Sequence, residues 1–154
     1  MNNENSFCQL INSSKEFDIL NPDKLFENIN SKYLTDILNI LPLQTMEKNT
    51  GNNTGSYIKK LIYQDQQNSI YLLEWDSFQA TPPHNHNFNG KNTFCYFFVL
   101  AGEFSEIVFN KHIIQTHTNI YNTGSSMKID KAEYVHILKN NNNTKSYTLH
   151  IYPE

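Results

Sequence analysis

Cysteine is scarce in this chain, with two residues among 154. Cys8 lies in a polar stretch and Cys95 precedes an apolar run, so we expect no structural disulfide between them. Long apolar runs are lacking too, and none would span a bilayer. Residues 1–14 lack the order of basic, apolar and small residues that marks a secretory signal. We therefore expect a cytoplasmic protein without membrane contact.

A block of basic residues is also absent, and the formal net charge is -3 at pH 7. Proteins that bind nucleic acid through its phosphates usually carry a basic face, so nucleic-acid binding is not expected. A length of 154 residues suits one hydrophobic core. Since nothing in the sequence indicates a partner protein, we expect a single-domain monomer.

Helical periodicity is confined to the first part of the chain. One helix can begin at Pro22, and a second can begin at Ser31 and end before Pro42. Residues 45–56 are rich in glycine, asparagine and threonine, which predicts a linker loop. Residues 1–44 are therefore interpreted as a short helical segment.

Beyond the linker, short runs rich in β-branched and aromatic residues are separated by turn formers. The predicted strands cover residues 57–63, 69–75, 94–100, 104–109, 112–117, 126–129, 134–138 and 146–152. Many short strands with turns this close predict an antiparallel barrel or sandwich over residues 57–154. Residues 140–143 are all asparagine, and we interpret them as a hairpin loop.

The strongest chemical signal is His84-Asn85-His86. Side chains two residues apart on a strand share a face, so the two imidazoles can converge on one metal ion. His136 is the best candidate for a third ligand, because it lies in an apolar run with strand character. Neutral imidazoles suit iron, zinc, copper or nickel, and no acidic residue lies beside the pair.

The spacing of these residues resembles the two cupin motifs. The matching positions are His84, His86, Cys95 and Gly102 for the first motif, and His136 and Asn140 for the second. Most cupins have a glutamate ligand where Cys95 stands, and this exchange is similar to the cysteine dioxygenases. The resemblance implies an all-β core, a cupin double-stranded β-helix of the jelly-roll type, with a short α-helical N-terminal segment, in a single domain over residues 1–154.

Other segments resemble the same family. Residues 148–152 are similar to its closing S-x-H-x-Y strand, with Thr148 in place of the serine. Trp75 lies where the family keeps a tryptophan before the first motif. Tyr57 and Lys59 fall where the family has a tyrosine and, two residues later, an arginine. The resemblance therefore covers roughly the whole chain beyond the linker.

When the roles of the family's residues are carried over to the matching positions, the resemblance implies a non-haem iron(II) ion bound by His84, His86 and His136, with O2 as co-substrate. It implies catalytic roles for Tyr152, whose hydroxyl would lie over substrate and oxygen, and for His150, which would orient that tyrosine.

Cys95 is implied to be the neighbour of Tyr152. In the eukaryotic branch of the family these two residues can be joined by a thioether bond, which is a hypothesis for this chain. The implied substrate-binding residues are Lys59, Tyr57 and Trp75. Tyr57 would contact and support Tyr152, and Trp75 would lie in the core or in the pocket wall.

Two departures from the family pattern affect substrate binding. Residues 87–94 form a longer loop after the histidine pair than the family usually has, which would reshape the rim of the pocket. Lys59 replaces the arginine that binds the substrate carboxylate, and a lysine offers charge without a bidentate fork. Lys60 or Lys91 could supply the charge instead.

The ligand set itself favours an anionic substrate. Three neutral histidines leave more uncompensated charge on the metal than two histidines and a carboxylate do, and a coordinated thiol is deprotonated. The resemblance implies oxidation of L-cysteine to cysteine sulfinate. Three alternatives stay open: another small thiol such as 3-mercaptopropionate, a non-catalytic metal-binding cupin, and a zinc or nickel centre.

Overall fold

The computed structural model of the chain describes residues 57–64, 66, 68–88, 91–92, 94–129 and 135–153. The predicted N-terminal helices and linker, residues 1–56, lie outside the described residues, as do the amines of Lys60 and Lys91. No helix in the described part of the chain has the length and apolar character that crossing a membrane requires.

Ten strands follow one another in the described residues. They are β1 (Ile58–Gln64), β2 (Asn68–Trp75), β3 (Asn87–Phe88), β4 (Lys91–Asn92), β5 (Cys95–Ala101), β6 (Glu103–Phe109), β7 (Gln115–Asn122), β8 (Ser126–Ile129), β9 (Val135–Asn140) and β10 (Ser146–Pro153).

These strands form two main sheets. One has five strands in the order β1-β2-β10-β5-β8, and the other has three in the order β7-β6-β9. The strands β3 and β4 form a small ladder of their own within the long loop after the histidine pair. Every strand pairing among the described residues is antiparallel. The prediction of an antiparallel all-β core is confirmed.

The hydrophobic core lies between the two main sheets. The buried cluster takes Leu73, Trp75, Phe97, Val99 and Ile129 from the five-stranded sheet and Phe104 and Leu138 from the three-stranded sheet. Burial alternates along β6 and β9, as expected for strands with one face toward a core and one toward solvent. Side chains on the inner faces therefore meet across the interior, where a pocket can form.

The chain crosses from one sheet to the other at Gly102, between β5 and β6. Its φ of +110° is a backbone conformation that residues with a Cβ rarely adopt. A Cβ at this position would lie 2.3 Å from Ser146 Oγ. Glycine is therefore required here by both conformation and space.

The strand predicted over residues 112–117 is placed wrongly. The Asn110 side chain accepts hydrogen bonds from the backbone N–H groups of His112 and Ile114, and these bonds hold a turn with Ile113 at a φ of +61°. Strand β7 therefore begins at Gln115 and extends to Asn122.

The prediction of a hairpin loop at residues 140–143 is also wrong, because β9 and β10 belong to different sheets. The asparagine run crosses between the sheets, and the buried Asn140 amide ties this crossing together. Its Oδ1 accepts bonds from the Asn142 backbone N–H at 3.0 Å and from Ser146 Oγ at 2.9 Å. Its Nδ2 donates to the Asp76 carbonyl oxygen at 2.9 Å.

Candidate metal centre

His84 and His86 lie close to His136 because the chain segment that leads into His84 runs alongside β9. The His84 N–H donates to the His136 carbonyl oxygen at 3.0 Å, and the His136 N–H donates to the His84 carbonyl oxygen at 2.8 Å. The residues before His84 add further backbone bonds to β9, but the contacts are isolated bridges rather than the regular strand that the sequence predicts for His84-Asn85-His86. This pairing sets the distance between ligands that are 52 residues apart.

Ligand nitrogens of His84, His86 and His136 all lie within 4.8 Å of one another, so these three residues are positioned to bind a metal ion. His136 Nε2 is 3.1 Å from His84 Nε2 and 3.1 Å from His86 Nε2. Two nitrogens held at about 2.1 Å from one ion and about 90° apart would be separated by roughly 3.0 Å. The observed spacing fits shared coordination of a single ion.

The ring protons of two of these histidines point away from the centre. A peptide carbonyl only accepts hydrogen bonds, so His84 Nδ1 donates to the Pro82 oxygen, 3.1 Å away. His136 Nδ1 donates to Glu106 Oε1 at 2.8 Å. In a neutral imidazole the other nitrogen, Nε2, then carries a lone pair. Two lone pairs facing each other at 3.1 Å repel unless a cation lies between them, so the donor set fits a metal ion.

The surroundings keep His84 and His86 unprotonated. Burial and the His136 charge lower the pKa of His84, and burial together with the charges of the other two histidines lowers the pKa of His86 to about 3. Both imidazoles are therefore neutral at pH 7, which is the form that binds metal.

Glu106 contacts the histidine group but was not among the residues that the sequence predicts for the site. It is fully buried on β6, and its other oxygen, Oε2, accepts bonds from Asn119 Nδ2 at 3.0 Å and Tyr121 Oη at 2.9 Å. Burial alone would raise the pKa of Glu106, but the hydrogen bonds from His136, Asn119 and Tyr121 outweigh it and lower the pKa. A sequence signal existed, because Glu106 stands at an inward position of β6 between Phe104 and Val108.

A chain of hydrogen bonds on the inner face of the five-stranded sheet leads toward the histidines. Trp75 Nε1 donates to Thr148 Oγ1 at 2.8 Å, and Thr148 Oγ1 lies 2.9 Å from His150 Nε2. The other ring nitrogen of His150 lies 3.4 Å from Tyr152 Oη and 3.6 Å from Cys95 Sγ. Thr148, His150 and Tyr152 share this face because they alternate along β10.

Both groups at the end of this chain are protonated in the folded protein. Burial raises the pKa of the Cys95 thiol to about 12, against the opposing effects of a hydrogen bond with Tyr152 and of the Lys59 charge. Burial also raises the pKa of Tyr152, and the nearby Cys95 raises it further. Burial and the Lys59 charge lower the pKa of His150, so that its imidazole is neutral.

Lys59 brings a positive charge to the same region. Its Nζ lies 3.9 Å from the ring centroid of Tyr71 and 4.5 Å from that of Tyr152. Although the side chain as a whole is exposed, burial of the amine end against these rings lowers the pKa of Lys59. Tyr57 packs its ring on Trp75, with 4.8 Å between centroids.

These groups border one pocket of about 310 Å³, including its open mouth. Its wall contains Tyr57, Trp75 and Tyr152 beside the histidines His84, His86, His136 and His150. The buried Cys95 and the amine of Lys59 lie behind this wall, in contact with His150 and Tyr152 respectively. The structure thus brings together all of the residues predicted for the site.

No family model matches the chain, and no curated protein matches it. The solved structures do contain similar proteins. A double-stranded β-helix protein from Klebsiella pneumoniae is 13% identical, with a TM-score of 0.53 and coverage of 67% of this chain and 81% of that one. A cupin domain from Bordetella pertussis is 12% identical, with a TM-score of 0.50 and coverage of 68% and 99%. The fold is that of a cupin.

An oxalate oxidase, solved with the substrate analogue glycolate, is also similar to this chain. It is 14% identical, with a TM-score of 0.52, and the match covers 71% of this chain and 56% of the oxidase. Likenesses at this level of identity show the fold alone. The predicted double-stranded β-helix is confirmed, whereas the closer resemblance to cysteine dioxygenases stays a prediction.

Proposed function

We propose that this cupin is a non-haem iron(II) thiol dioxygenase that oxidises L-cysteine to cysteine sulfinate with O2. The observation that carries the proposal is the grouping of three histidines, positioned for a metal, with Tyr152, His150 and Cys95 at one small pocket. A protein that only stores or senses a metal has no need of a tyrosine hydroxyl held at the edge of the ligand group.

A bound iron(II) would supply the redox chemistry that adds both atoms of O2 to a thiol sulfur. The reaction balances as RSH + O2 giving RSO2H, so no external electron donor is needed. The neutral ligand set favours an anionic thiolate, as the uncompensated metal charge requires.

The hydrogen-bond chain that ends at Tyr152 would fix the direction of its hydroxyl. The Trp75 indole only donates, so Thr148 Oγ1 accepts its hydrogen bond and would donate its own proton to His150 Nε2. With that arrangement His150 would carry its ring proton on Nδ1, which faces Tyr152 Oη. Tyr152 accepts that bond and keeps its own proton to donate, either to Cys95 or to a group in the pocket.

Lys59 would select thiols that carry a carboxylate. Its amine lies over the ring of Tyr152, so an anionic group bound next to that tyrosine would meet a positive charge. The pocket volume of about 310 Å³ includes its open mouth, so only part of it is enclosed around the histidines.

A second substrate is favoured by the same lysine. Lysine pairs with a carboxylate as a point charge rather than as a planar fork, so the orientation of an amino acid is less constrained than with arginine. 3-Mercaptopropionate, which has a carboxylate and no amine, is therefore the alternative substrate.

The test is to load the purified protein with iron(II) and to measure O2 uptake and sulfinate formation. L-Cysteine, 3-mercaptopropionate and cysteamine would be compared in parallel. We expect sulfinate from L-cysteine, and a preference for 3-mercaptopropionate would keep the reaction while changing the substrate. Full iron occupancy without O2 uptake for any thiol would instead favour a non-catalytic metal-binding cupin.

The control for this test separates the metal site from general damage. His136→Ala should lose both iron and sulfinate formation, since it removes the shared ligand. His117→Ala changes an exposed histidine on β7 and should keep both. Full iron content in His136→Ala would mean that the proposed third ligand is wrong.

A further inference from the structure

The buried carboxylate of Glu106 contacts the metal site through His136. We propose that Glu106 is a positioning residue that fixes the ring proton of His136 on Nδ1 and makes His136 Nε2 a stronger metal ligand. The proposal deepens the proposed function and rests only on its metal-binding part.

Strand register places Glu106 where it can reach His136. Val108 on β6 pairs with His136 on β9. Glu106 lies two residues before Val108 on β6, so its side chain is on the same face. Such diagonal neighbours are within reach of a long side chain. The result is the 2.8 Å hydrogen bond between His136 Nδ1 and Glu106 Oε1.

Strand β7 of the three-stranded sheet holds the Glu106 carboxylate in place. Asn119 pairs directly with Glu106 across β6 and β7, and Tyr121 follows two residues later on the same face. Both donate to Oε2, so Oε1 is left to accept the bond from His136. Glu106 is fully buried and accepts three hydrogen bonds, which together fix the orientation of its carboxylate.

The contact with Glu106 should strengthen His136 as a ligand relative to His84. A carboxylate that accepts the N–H of a ligating histidine fixes its tautomer and makes its other nitrogen more basic. His84 donates instead to a neutral carbonyl oxygen, at 3.1 Å. We therefore expect His136 to be a stronger ligand than His84.

The test measures metal affinity in the full-length protein, without any thiol substrate. Glu106→Gln keeps the size of the side chain and removes its charge. We expect the dissociation constants for iron(II) and for zinc(II), measured anaerobically by chelator competition, to rise roughly 10- to 100-fold. Glu103→Gln is the matched control, because Glu103 lies on the same strand and bonds Asn141 Nδ2 at 3.0 Å, away from the histidines.

A second variant guards against a purely structural effect. Glu106→Asp keeps the charge on a shorter side chain, so its metal affinity should lie between those of the wild type and Glu106→Gln. The thermal midpoint of the metal-free protein, measured for each variant, should not follow this order. Affinity of Glu106→Gln within about twofold of wild type, or an equal loss in Glu103→Gln, would overturn the proposal.

These outcomes are separate from those of the proposed function. Loss of affinity in Glu106→Gln from a wild-type protein that makes no sulfinate would support the role of Glu106 and reject the dioxygenase. Unchanged affinity in a protein that makes sulfinate would do the reverse.

Discussion

At the scale of single residues, the most informative feature is that Tyr152 keeps its proton. Burial raises the pKa of this hydroxyl, and His150 lies 3.4 Å from it through Nδ1. A hydroxyl held in this way can give a hydrogen bond to a bound substrate but is a poor base. Its role in the proposed reaction is therefore that of a donor.

Tyr152→Phe removes this donor while leaving the three metal ligands intact. We expect unchanged iron content and a sulfinate-forming kcat lowered roughly 10- to 100-fold, since a positioned proton donor usually contributes at least that much. Tyr147→Phe, on the same strand but outside the pocket wall, is the control and should keep its rate. An unchanged kcat in Tyr152→Phe would remove the tyrosine from the mechanism.

Lys59→Ala tests the charge at the pocket. We expect the KM for L-cysteine and 3-mercaptopropionate to rise about 10-fold, because a hydrogen bond to a charged group contributes about 1.5 kcal/mol at the lower end of its range and the Lys59 side chain is exposed. Cysteamine, which lacks a carboxylate, should be little affected. Lys128→Ala removes another lysine whose amine lies over an aromatic ring, that of Phe94, and should change neither KM. Equal effects on all three thiols would mean that Lys59 is structural.

At the scale of secondary-structure elements, the turn at Gly102 controls how β5 leads into β6. Gly102→Ala adds a Cβ at a φ of +110° and 2.3 Å from Ser146 Oγ. We expect the free energy of unfolding to fall by about 2–4 kcal/mol, because backbone strain and crowding add together. Urea denaturation of the metal-free protein would measure it.

A second glycine separates the two causes of this loss. Gly124 has a φ of +88° in an exposed turn, so Gly124→Ala should show the cost of backbone strain by itself. The difference between the two variants then reports the crowding at Ser146. Equal losses in both would mean that the Ser146 contact contributes nothing.

The strands could be predicted from sequence because their residues alternate and are bounded by turn formers. β8 was predicted with its correct ends, and the ligands His84, His86 and His136 were found from their spacing. Glu106 was missed because its partners lie on β7 and β9, and the pairing of β6 with both is a property of the folded sheet. The misplaced start of β7 also hid Asn119 and Tyr121, which fall outside the predicted strand.

At the scale of the whole molecule, buried neutral histidines couple stability to pH. Burial lowers the pKa of His84, His86 and His150 in the folded state, whereas unfolded histidines titrate near about 6.5. Below that pH the unfolded chain binds protons that the folded chain does not, so stability is lost as pH falls. The low pKa of Glu106 adds a further loss only in stronger acid.

We therefore expect the metal-free protein to lose stability steadily from pH 7 to pH 5. The buried ring of His150 should contribute about 2 kcal/mol of this loss by pH 5. Urea midpoints measured at several pH values would test it, with His150→Asn flattening the dependence and the exposed His117→Ala leaving it as in the wild type. A flat profile in the wild type would contradict the neutral state of these rings.

The backbone pairing between His84 and His136 makes the metal site part of the sheet itself. Two reciprocal hydrogen bonds join the backbone of His84 to that of His136 on β9. A metal ion bound by both His84 and His136 would close a loop between residues that are 52 positions apart, as a crosslink does. The backbone amide hydrogens of His84 and His136 should then exchange with deuterium more slowly when metal is bound. Their exchange rates would therefore report whether the site is occupied.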